Sequence, residues 1–358
     1  MPRKKIYLDY AAATPIDKDV ISEMQPFFSD KFYNPSATYL PAVDVKNHLT
    51  DARKSVANCL GSKSREIIFT AGATEANNLA ISGLMTKYPR SNIVYSAIEH
   101  ESVIETAKQY NHKIVNVNKD GRVNLEDLDK KIDDQTALVS IMFVNNEIGT
   151  IEPLSQVAKL IEEKKKTRKN NIPLLLHSDA AQAANYLDLH TSRLKIDMMS
   201  LSGPKIYGPK QSGCLYIKSG IVINPIIYGG GQEFNLRSGT ENVAGVIGFA
   251  KALDKAQSTR NTESKRLNNL KDYFISEIQS NLKNVFINGS LKHRIPNNIH
   301  LTIPGVDSET LLLKLEQRGI LAANGAACSA NSGEPSYILS AIGLIDNETR
   351  SSIRISIG

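Results

Sequence analysis

Short apolar runs alternate with amphipathic stretches over the first two-thirds of the chain. Seven of these runs have the length and the apolar content of buried strands. They span residues 67–70, 92–97, 113–117, 137–144, 172–178, 196–202 and 214–218. Stretches with helical periodicity lie between several of them, for example 74–85 and 154–164. This alternation is typical of a parallel sheet with helices on both faces. We therefore predict an α/β fold with a mostly parallel, seven-stranded sheet.

The last third of the chain follows a different pattern. A polar, amphipathic stretch of helical character runs from residue 243 to 282. Shorter segments follow it at 285–288, 298–302, 308–317 and 352–357. We predict a domain boundary near residue 255. The expected parts are an N-terminal arm (1–15), a large domain (16–255) and a small α+β C-terminal domain (256–358).

Composition and charge narrow the classes of function. The 358 residues carry a mild formal charge of +6, and the densest basic stretch, 162–169, contains no aromatic residue, which argues against nucleic-acid binding. The three cysteines, Cys59, Cys214 and Cys328, are too few and too scattered for a disulfide framework or a metal site. The N-terminal residues lack the apolar core of a signal peptide, and no apolar run reaches membrane-spanning length. We expect a cytoplasmic protein that binds no metal, no membrane and no nucleic acid directly.

Two chemistry-bearing residues follow neighbouring predicted strands. Asp179 comes directly after the run 172–178, and Lys205 follows 196–202 in a Gly/Pro turn. Open α/β sheets bind their ligands at the carboxyl ends of the strands. A lysine that forms a Schiff base, and a carboxylate that keeps a pyridine nitrogen protonated, are what pyridoxal phosphate requires. The alternative is that Asp179 caps a helix and Lys205 is a solvated loop lysine. Their joint appearance, with Gln182 soon after, favours the cofactor.

Three further motifs lie at the ends of predicted strands. Residues 69–76 predict a strand, a glycine turn and a helix whose first N–H groups can bind a phosphate, with Ala73 and Thr74 as donors. His100 could stack on a pyridine ring, although a structural histidine fits the same position. Asn146 lies in an Asn-Asn turn where an amide could bind the cofactor ring or the substrate. Paired amides are also common turn formers.

Cys328 lies among unusually small residues. The segment 322–333 contains no aromatic residue and none larger than asparagine, so it has little apolar area to hold it in place. We predict a mobile, exposed loop. Free cysteines are usually packing residues, which is our interpretation of Cys59 and Cys214. Cys328 departs from that pattern and could be a nucleophile.

Taken together, these motifs resemble the cysteine desulfurases of the class V aminotransferase superfamily. The resemblance covers nearly the whole chain. Its ordered motifs lie at 7–15, 34–36, 72–78, 99–100, 144–149, 177–182, 202–209, 237–240, 328–329, 334–336 and 352–358. The long small-residue loop around Cys328 resembles the group associated with general sulfur delivery and iron–sulfur assembly. The resemblance implies the aspartate-aminotransferase-like fold (fold type I) and a homodimer that converts L-cysteine to L-alanine.

The resemblance also implies a role for each matching residue. Lys205 would carry pyridoxal 5'-phosphate and move the Cα proton, Asp179 would pair with the pyridinium, and Gln182 would bind the ring oxygen. His100 would stack on the ring and shuttle protons. Cys328 would attack the substrate sulfur, and its persulfide would pass to a sulfur-acceptor protein, either an iron–sulfur scaffold or a tRNA-thiolation enzyme. The remaining contacts would be to the phosphate, from Ala73, Thr74, Ser202 and the partner subunit's Thr240, and to the substrate carboxylate and ring oxygen, from Asn146 and Arg354.

The chain departs from the family pattern at a few positions. The family commonly has histidine before the Schiff-base lysine, where this chain has Pro204, and Tyr39 and Phe143 stand where histidine is also frequent. The family continues beyond residue 358 with a helical segment, so we expect the small domain to lack its final helix. The alternatives are a selenocysteine lyase, another class V aminotransferase, or a catalytically weak homologue that acts as a binding partner.

Overall fold

A computed structural model of the protein describes residues 5–325 and 335–358. Its strands are β1 (Ile6–Tyr7), β2 (Ile67–Thr70), β3 (Asn92–Ser96), β4 (His112–Val115), β5 (Thr136–Ser140), β6 (Leu175–Asp179), β7 (Met198–Ser202), β8 (Gly213–Ile217), β9 (Phe286–Ile287), β10 (Asn298–Thr302), β11 (Ile320–Leu321) and β12 (Ser352–Ser356). Its helices are α1 (Lys18–Met24), α2 (Pro26–Ser29), α3 (Leu40–Leu60), α4 (Ala73–Lys87), α5 (Glu101–Ala107), α6 (Leu125–Lys131), α7 (Leu154–Thr167), α8 (Thr191–Leu194), α9 (Gln232–Asn235), α10 (Val243–Asn281), α11 (Ser308–Gln317), α12 (Tyr337–Ala341) and α13 (Asp346–Thr349). Short 3₁₀ turns lie at Ser64–Glu66 and Gly203–Lys205.

The described residues form a central sheet of seven strands. Its order is β2-β8-β7-β6-β5-β3-β4. Neighbours from β7 to β4 are parallel, whereas β8 runs antiparallel to both β2 and β7. All residues of the six strands other than the edge strand β4 are buried, as expected where helices cover both faces. The predicted α/β fold with a mostly parallel seven-stranded sheet is confirmed.

Two apolar clusters pack on opposite faces of this sheet. Ile68 and Leu175 belong to the cluster that contains α4, whereas their chain neighbours Phe69 and Leu176 belong to the cluster that contains α3 and α10. Successive residues of a strand point to opposite faces, so each strand contributes to both clusters. Because β2 is antiparallel to β8 and β8 is antiparallel to β7, β2 ends at the same edge as the parallel strands. The packed sheet therefore holds the carboxyl ends of six strands, β2 to β7, along one edge.

The strand boundaries differ slightly from the predictions. Strand β6 begins at Leu175 rather than at 172, because Pro173 has no N–H to donate to a neighbouring strand. After β6, residues 181–186 form successive turns rather than a helix. Side chains of that segment are held by other parts of the chain, since Gln182 Nε2 donates to Ala11 O (2.9 Å) and Asn185 Nδ2 donates to Lys205 O (2.7 Å).

The C-terminal part contains a second, smaller sheet. Strands β12, β10 and β9 form it in that order, and both pairings are antiparallel. Helix α10 links the two parts: the residues up to Ala256 contribute to the large core, and Phe274 and Ile275 pack against the small sheet. The predicted boundary near residue 255 falls inside this helix, and the division into domains remains a prediction. The described residues include no helix with both the length and the apolar content needed to cross a membrane.

The N-terminal segment connects the two parts a second time. Strand β1 pairs in parallel with β11, and Ser356 N donates to Leu8 O (2.8 Å). Ala11 N donates to Ser356 Oγ (2.9 Å), and Thr14 N donates to Pro204 O (3.0 Å). Residues 6–14 therefore run from the small sheet to the turn that carries Lys205.

Candidate active site

The predicted site residues gather around one large cavity. It has a volume of about 820 Å³ and lies at the edge of the central sheet where β2, β6 and β7 end. The predicted residues that line it are Ala73, Thr74, His100, Asn146, Asp179, Gln182, Ser202, Lys205 and Arg354. Residues far apart in sequence thus meet at the strand ends, as the α/β pattern predicts. Their individual roles remain predictions.

Lys205 enters the cavity from a short, tightly held turn. The 3₁₀ turn Gly203–Lys205 follows β7 directly, and the Pro204 carbonyl accepts hydrogen bonds from Thr14 N (3.0 Å) and Thr14 Oγ1 (3.1 Å). Lys205 Nζ donates to Ala11 O (3.0 Å) and Ala12 O (2.5 Å). The N-terminal segment therefore positions Lys205 Nζ through backbone carbonyls that accept its hydrogen bonds.

Asp179 is the last residue of β6 and is 6% exposed. One carboxylate oxygen accepts from Asn77 Nδ2 (2.7 Å), and the other accepts from Ala181 N (2.9 Å). Both oxygens of this buried carboxylate therefore have a hydrogen-bond donor. The group that lines the cavity is thus well suited to hold a protonated nitrogen.

His100 is the N-cap residue of α5 and is half-buried. Its Nδ1 accepts from Ser102 N (3.1 Å) and lies 2.9 Å from Ser102 Oγ. Because a backbone N–H can only donate, these partners assign Nδ1 as an acceptor, which leaves the ring proton on Nε2. The imidazole is therefore held in one tautomer at the cavity wall.

The N-terminus of α4 forms part of the cavity wall. Gly72 precedes the helix with a φ of 136°, a conformation that a side chain would strain. The N–H groups of the first turn have no intrahelical partner, and the helix dipole adds a partial positive charge there. Ala73, Thr74 and Glu75 of this turn line the cavity. This arrangement can bind a phosphate group.

Gly213, the first residue of β8, allows the strand ends to approach each other. It pairs with Thr70 on one side and with Ser202 on the other. A Cβ at Gly213 would lie 2.3 Å from Leu201 O and 2.8 Å from Gly72 Cα. Only a residue without a side chain can therefore bring the turn at Gly72 and the end of β7 to the same cavity wall.

Arg354 reaches the cavity from β12 of the small sheet and is 1% exposed. Its Nη1 donates to Asn146 O (2.9 Å), and its Nη2 donates to Asp9 Oδ1 (2.7 Å). Each of these nitrogens carries a second hydrogen, so the guanidinium keeps donors for a ligand. Asn146 Oδ1 is buried and has no hydrogen-bond partner within the described residues. The guanidinium hydrogens suit a carboxylate, and the open amide oxygen of Asn146 beside them can accept a hydrogen bond from a ligand donor.

Burial shifts the pKa of two ionisable groups beneath the cavity towards the neutral form. His177 lies in the middle of β6 between Ser140 Oγ (2.8 Å) and Ser200 Oγ (3.0 Å), and burial lowers the pKa of its imidazole to about 4. Burial also raises the pKa of Glu99 well above its ordinary value, although Met142 N donates to its carboxyl (2.6 Å). Burial thus disfavours a second charge next to Asp179 at both positions.

Several residues of the site carry no prediction from the sequence. Asn77 and Ser102 connect Asp179 to His100 by hydrogen bonds, and Lys210 and Gln211 line the cavity. A sequence signal for Asn77 exists, because it is a polar residue on the otherwise apolar, buried face of α4. Asp9 lies in the 7–15 motif, but its partner is 345 residues away.

Among the predicted residues that the structure describes, Thr240 is not one that lines the cavity. Thr240 is exposed, and the expectation for it concerns a partner subunit. Cys328 lies outside the described residues. The other cysteines match their interpretation as packing residues: Cys214 is fully buried, and Cys59 is partly buried against the core, where burial raises the pKa of its thiol to about 11. The described part of the chain contains no cluster of acidic, histidine and cysteine side chains that could hold a metal ion.

Comparison with known proteins extends over the whole described fold. The chain matches the family model "Aminotransferase class-V" over residues 6–358. The cysteine desulfurase IscS of Dictyoglomus turgidum is 40% identical over 365 residues, which cover 99% of this chain and 90% of that protein. The cysteine desulfurase IscS of Methanosarcina thermophila is 36% identical over 362 residues, which cover 99% and 87%. Among solved structures, a NifS-like protein superimposes with a TM-score of 0.90 at 33% identity, covering 99% of this chain and 93% of that one. SspA in complex with cysteine superimposes with a TM-score of 0.85 at 33% identity, covering 99% of each chain.

Proposed function

Because the chain belongs to the class V aminotransferase family and, within it, to the cysteine desulfurases, we propose that it removes the sulfur of L-cysteine with pyridoxal 5'-phosphate as cofactor. The observation that carries the proposal is the single cavity at which Lys205, Asp179 and His100 meet the N-terminus of α4. An amine, a buried carboxylate, an imidazole and a phosphate cradle are the groups that this cofactor needs.

The cavity fits the cofactor part by part. The first N–H groups of α4, after Gly72, are available to bind the phosphate. The Ser202 hydroxyl lies close to the same turn, since a Cβ at Gly72 would be 3.7 Å from Ser202 Oγ. Asp179, with a donor at each oxygen, would hold the ring nitrogen in its protonated form. Gln182 would bind the ring oxygen, and Lys205 would hold the cofactor covalently through Nζ. When bound, the ring would act as an electron sink for bond changes at the substrate Cα.

The protein's own groups then move the protons. Lys205 Nζ, held by the carbonyls of Ala11 and Ala12, would take the proton from the substrate Cα. His100, with its proton on Nε2, would carry protons to and from the reacting groups. Arg354 and Asn146 would hold the substrate carboxylate in the polar corner that they form. The groups assigned to these steps all line the same cavity.

Cys328 would take the sulfur. Its thiolate attacks the sulfur of cysteine, the Cβ–S bond breaks, and Cβ receives the proton that completes L-alanine. The sulfur remains on Cys328 as a persulfide, so atoms and electrons balance without an external oxidant. We propose that the persulfide passes to a sulfur-acceptor protein for iron–sulfur assembly or tRNA thiolation, and that the reaction takes place in the cytoplasm.

The proposal is tested by product analysis. The purified protein with pyridoxal 5'-phosphate should release alanine from L-cysteine in equal amount to the sulfide freed by added dithiothreitol. Cys328→Ser should keep cofactor binding and lose both products, because a hydroxyl is a far poorer nucleophile towards sulfur. Cys59→Ser is the matched control and should retain turnover. Pyruvate rather than alanine, or full activity in Cys328→Ser, would contradict the proposal.

The lysine assignment has an internal control, because Lys210 lines the same cavity. Borohydride reduction of the cofactor-loaded protein, followed by peptide mapping, should place the label on Lys205 and leave Lys210 unlabelled. Lys210→Ala should still become labelled at Lys205. A label on Lys210 in the wild-type protein would transfer the role to that residue.

We also propose that the enzyme is a homodimer in which the partner subunit's Thr240 reaches the phosphate. An exposed aromatic cluster supports an interface: Phe32 is 67% exposed and stacks on Tyr33 (4.5 Å between ring centroids), and Tyr33 meets Tyr39, which is 51% exposed. Mixing Lys205→Ala and Thr240→Ala chains under exchange conditions should give heterodimers with one intact site. Activity that stays at the level of the parents would exclude a shared site.

A further inference from the structure

A chain of hydrogen bonds links Asp179 to His100 through two residues that the proposed function does not use. Asn77 Nδ2 donates to Asp179 Oδ2 (2.7 Å) and to Ser102 Oγ (2.8 Å). Ser102 Oγ lies 2.9 Å from His100 Nδ1, and Ser102 N donates to the same nitrogen (3.1 Å). Asn77 is fully buried in the second turn of α4, and Ser102 lies in the first turn of α5.

The direction of every bond follows from groups that can act in only one way. The Asn77 amide nitrogen can only donate, so one of its hydrogens goes to the Asp179 carboxyl oxygen. The other hydrogen goes to Ser102 Oγ, whose own hydrogen is then directed to His100 Nδ1. Ser102 N also donates there. His100 Nδ1 therefore has two donors, and a proton on Nδ1 would face both of them.

The retention of Asn77 has a cost in stability. Its Oδ1 is buried and has no hydrogen-bond partner within the described residues. An unsatisfied buried acceptor destabilises a fold, so an apolar residue would serve the packing of α4 better. The amide is explained by the two bonds that its nitrogen makes.

We propose that Asn77 and Ser102 are positioning residues that fix His100 in the Nε2–H tautomer and orient it together with the Asp179 carboxylate. Asn77 donates in both directions, so it orders the carboxylate and the imidazole at the same time. The proposed function assigns neither residue a contact with the substrate or the cofactor. A catalytic purpose for this hydrogen-bond relay, Asp179–Asn77–Ser102–His100, rests on the proposed function. The hydrogen bonds themselves are present in the structure whether or not that function holds.

The direct test is the tautomer of His100, measured by ¹⁵N NMR of the imidazole in the full chain with and without pyridoxal 5'-phosphate. The signal that disappears in His100→Gln identifies the residue. The wild type should show Nδ1 unprotonated and Nε2 protonated. Ser102→Ala and Asn77→Ala should both raise the fraction of the Nδ1–H form, and Ser102→Thr, which keeps the hydroxyl, should restore the wild-type signal.

Asn92 provides a matched control. It is buried (7% exposed) and its Nδ2 donates to an aspartate, Asp133 Oδ1 (2.9 Å), away from the cavity. Asn92→Ala should leave the His100 signal unchanged. If Ser102→Ala leaves the tautomer unchanged, or if Asn92→Ala alters it equally, the relay is wrong. Far-ultraviolet circular dichroism that matches the wild type would show that Ser102→Ala folds normally. The test then stays decisive even when Asn77→Ala does not fold.

A kinetic readout separates positioning from stability. Ser102→Ala should lower kcat for alanine release about threefold to tenfold, the effect of one lost neutral hydrogen bond, with KM for L-cysteine nearly unchanged. Ser102→Thr should recover most of that loss. A change in KM alone would contradict a role at His100. If the protein releases no alanine at all, the proposed function fails, whereas the tautomer measurement still decides the relay.

Discussion

The buried Arg354 allows a quantitative test of substrate recognition. If Arg354 binds the substrate carboxylate as proposed, Arg354→Ala removes a charge-assisted hydrogen bond that contributes about 1.5–3 kcal/mol. Since about 1.4 kcal/mol corresponds to a factor of ten, KM for L-cysteine should rise roughly 10- to 150-fold. The substitution should also lower the free energy of unfolding by about 3 kcal/mol, because it breaks the buried ion pair with Asp9. This value is the lower end of the range for buried pairs, since Asp9 is 19% exposed.

The assay compares L-cysteine with cysteamine, which lacks the carboxylate. The wild type should prefer L-cysteine over cysteamine by the same factor of roughly 10 to 150. Arg354→Ala should lose that preference, and its weak affinity for cysteamine should equal that of the wild type. Arg294→Ala is the matched control. Arg294 is also buried (6% exposed), and it donates to Asn298 Oδ1 (3.3 Å) and Ser290 O (3.0 Å), but it does not line the cavity. It should lower the free energy of unfolding without changing the preference.

Two results would refute this reasoning. An Arg354→Ala protein that folds and keeps the wild-type preference would show that the guanidinium does not bind the carboxylate. An equal loss of preference in Arg294→Ala would show that the effect comes from general destabilisation of the small sheet. Urea unfolding of all three proteins measures that contribution directly.

Three further predictions concern the scaffold. Burial raises the pKa of Glu152 to about 8, so between the unfolded pKa of 4.5 and pH 8 the folded state holds a proton that the unfolded state has lost. In urea unfolding, the free energy of unfolding of the wild type should therefore fall by about 1.4 kcal/mol per pH unit relative to Glu152→Gln over this range. Parallel pH profiles of the two proteins would contradict this. Gly213→Ala should weaken cofactor binding in a fluorescence titration, because its Cβ would push against Leu201 O and Gly72; unchanged affinity would mean that the turn adapts freely. Cys214→Ser should lower the free energy of unfolding by about 1–3 kcal/mol through a buried hydroxyl and leave kcat unchanged, and a loss of kcat would give this thiol a role in turnover.

The sequence predicts the site best where chemistry follows a buried strand directly. Asp179 ends β6, and Lys205 lies in the turn immediately after β7, so the order of apolar runs was enough to place both at one sheet edge. The same reasoning works for strands such as β2 and β10, whose bounds match the predictions. Local patterns suffice here because a parallel sheet has only one carboxyl edge.

The sequence predicts poorly what depends on contacts between elements. Asn77 and Ser102 look like ordinary helix residues until α4 packs beside α5, which brings their side chains to 2.8 Å. The bond from Arg354 to Asp9 joins positions 345 residues apart, and no local pattern indicates it. Such pairs are determined by tertiary packing, which a pattern read along the chain does not contain.

The position of the N-terminal segment has a consequence for synthesis of the protein. Residues 6–11 make their hydrogen bonds to β11 and to Ser356, and the same segment supplies the carbonyls that hold Lys205 Nζ. A ribosome adds roughly 5–20 residues per second, so the first strand waits on the order of tens of seconds for its partners. During that time the lysine turn lacks its final support. The cavity is therefore complete, and ready for the proposed cofactor, only after translation has passed residue 356. In the interval β1 remains an unpaired strand that a chaperone could protect.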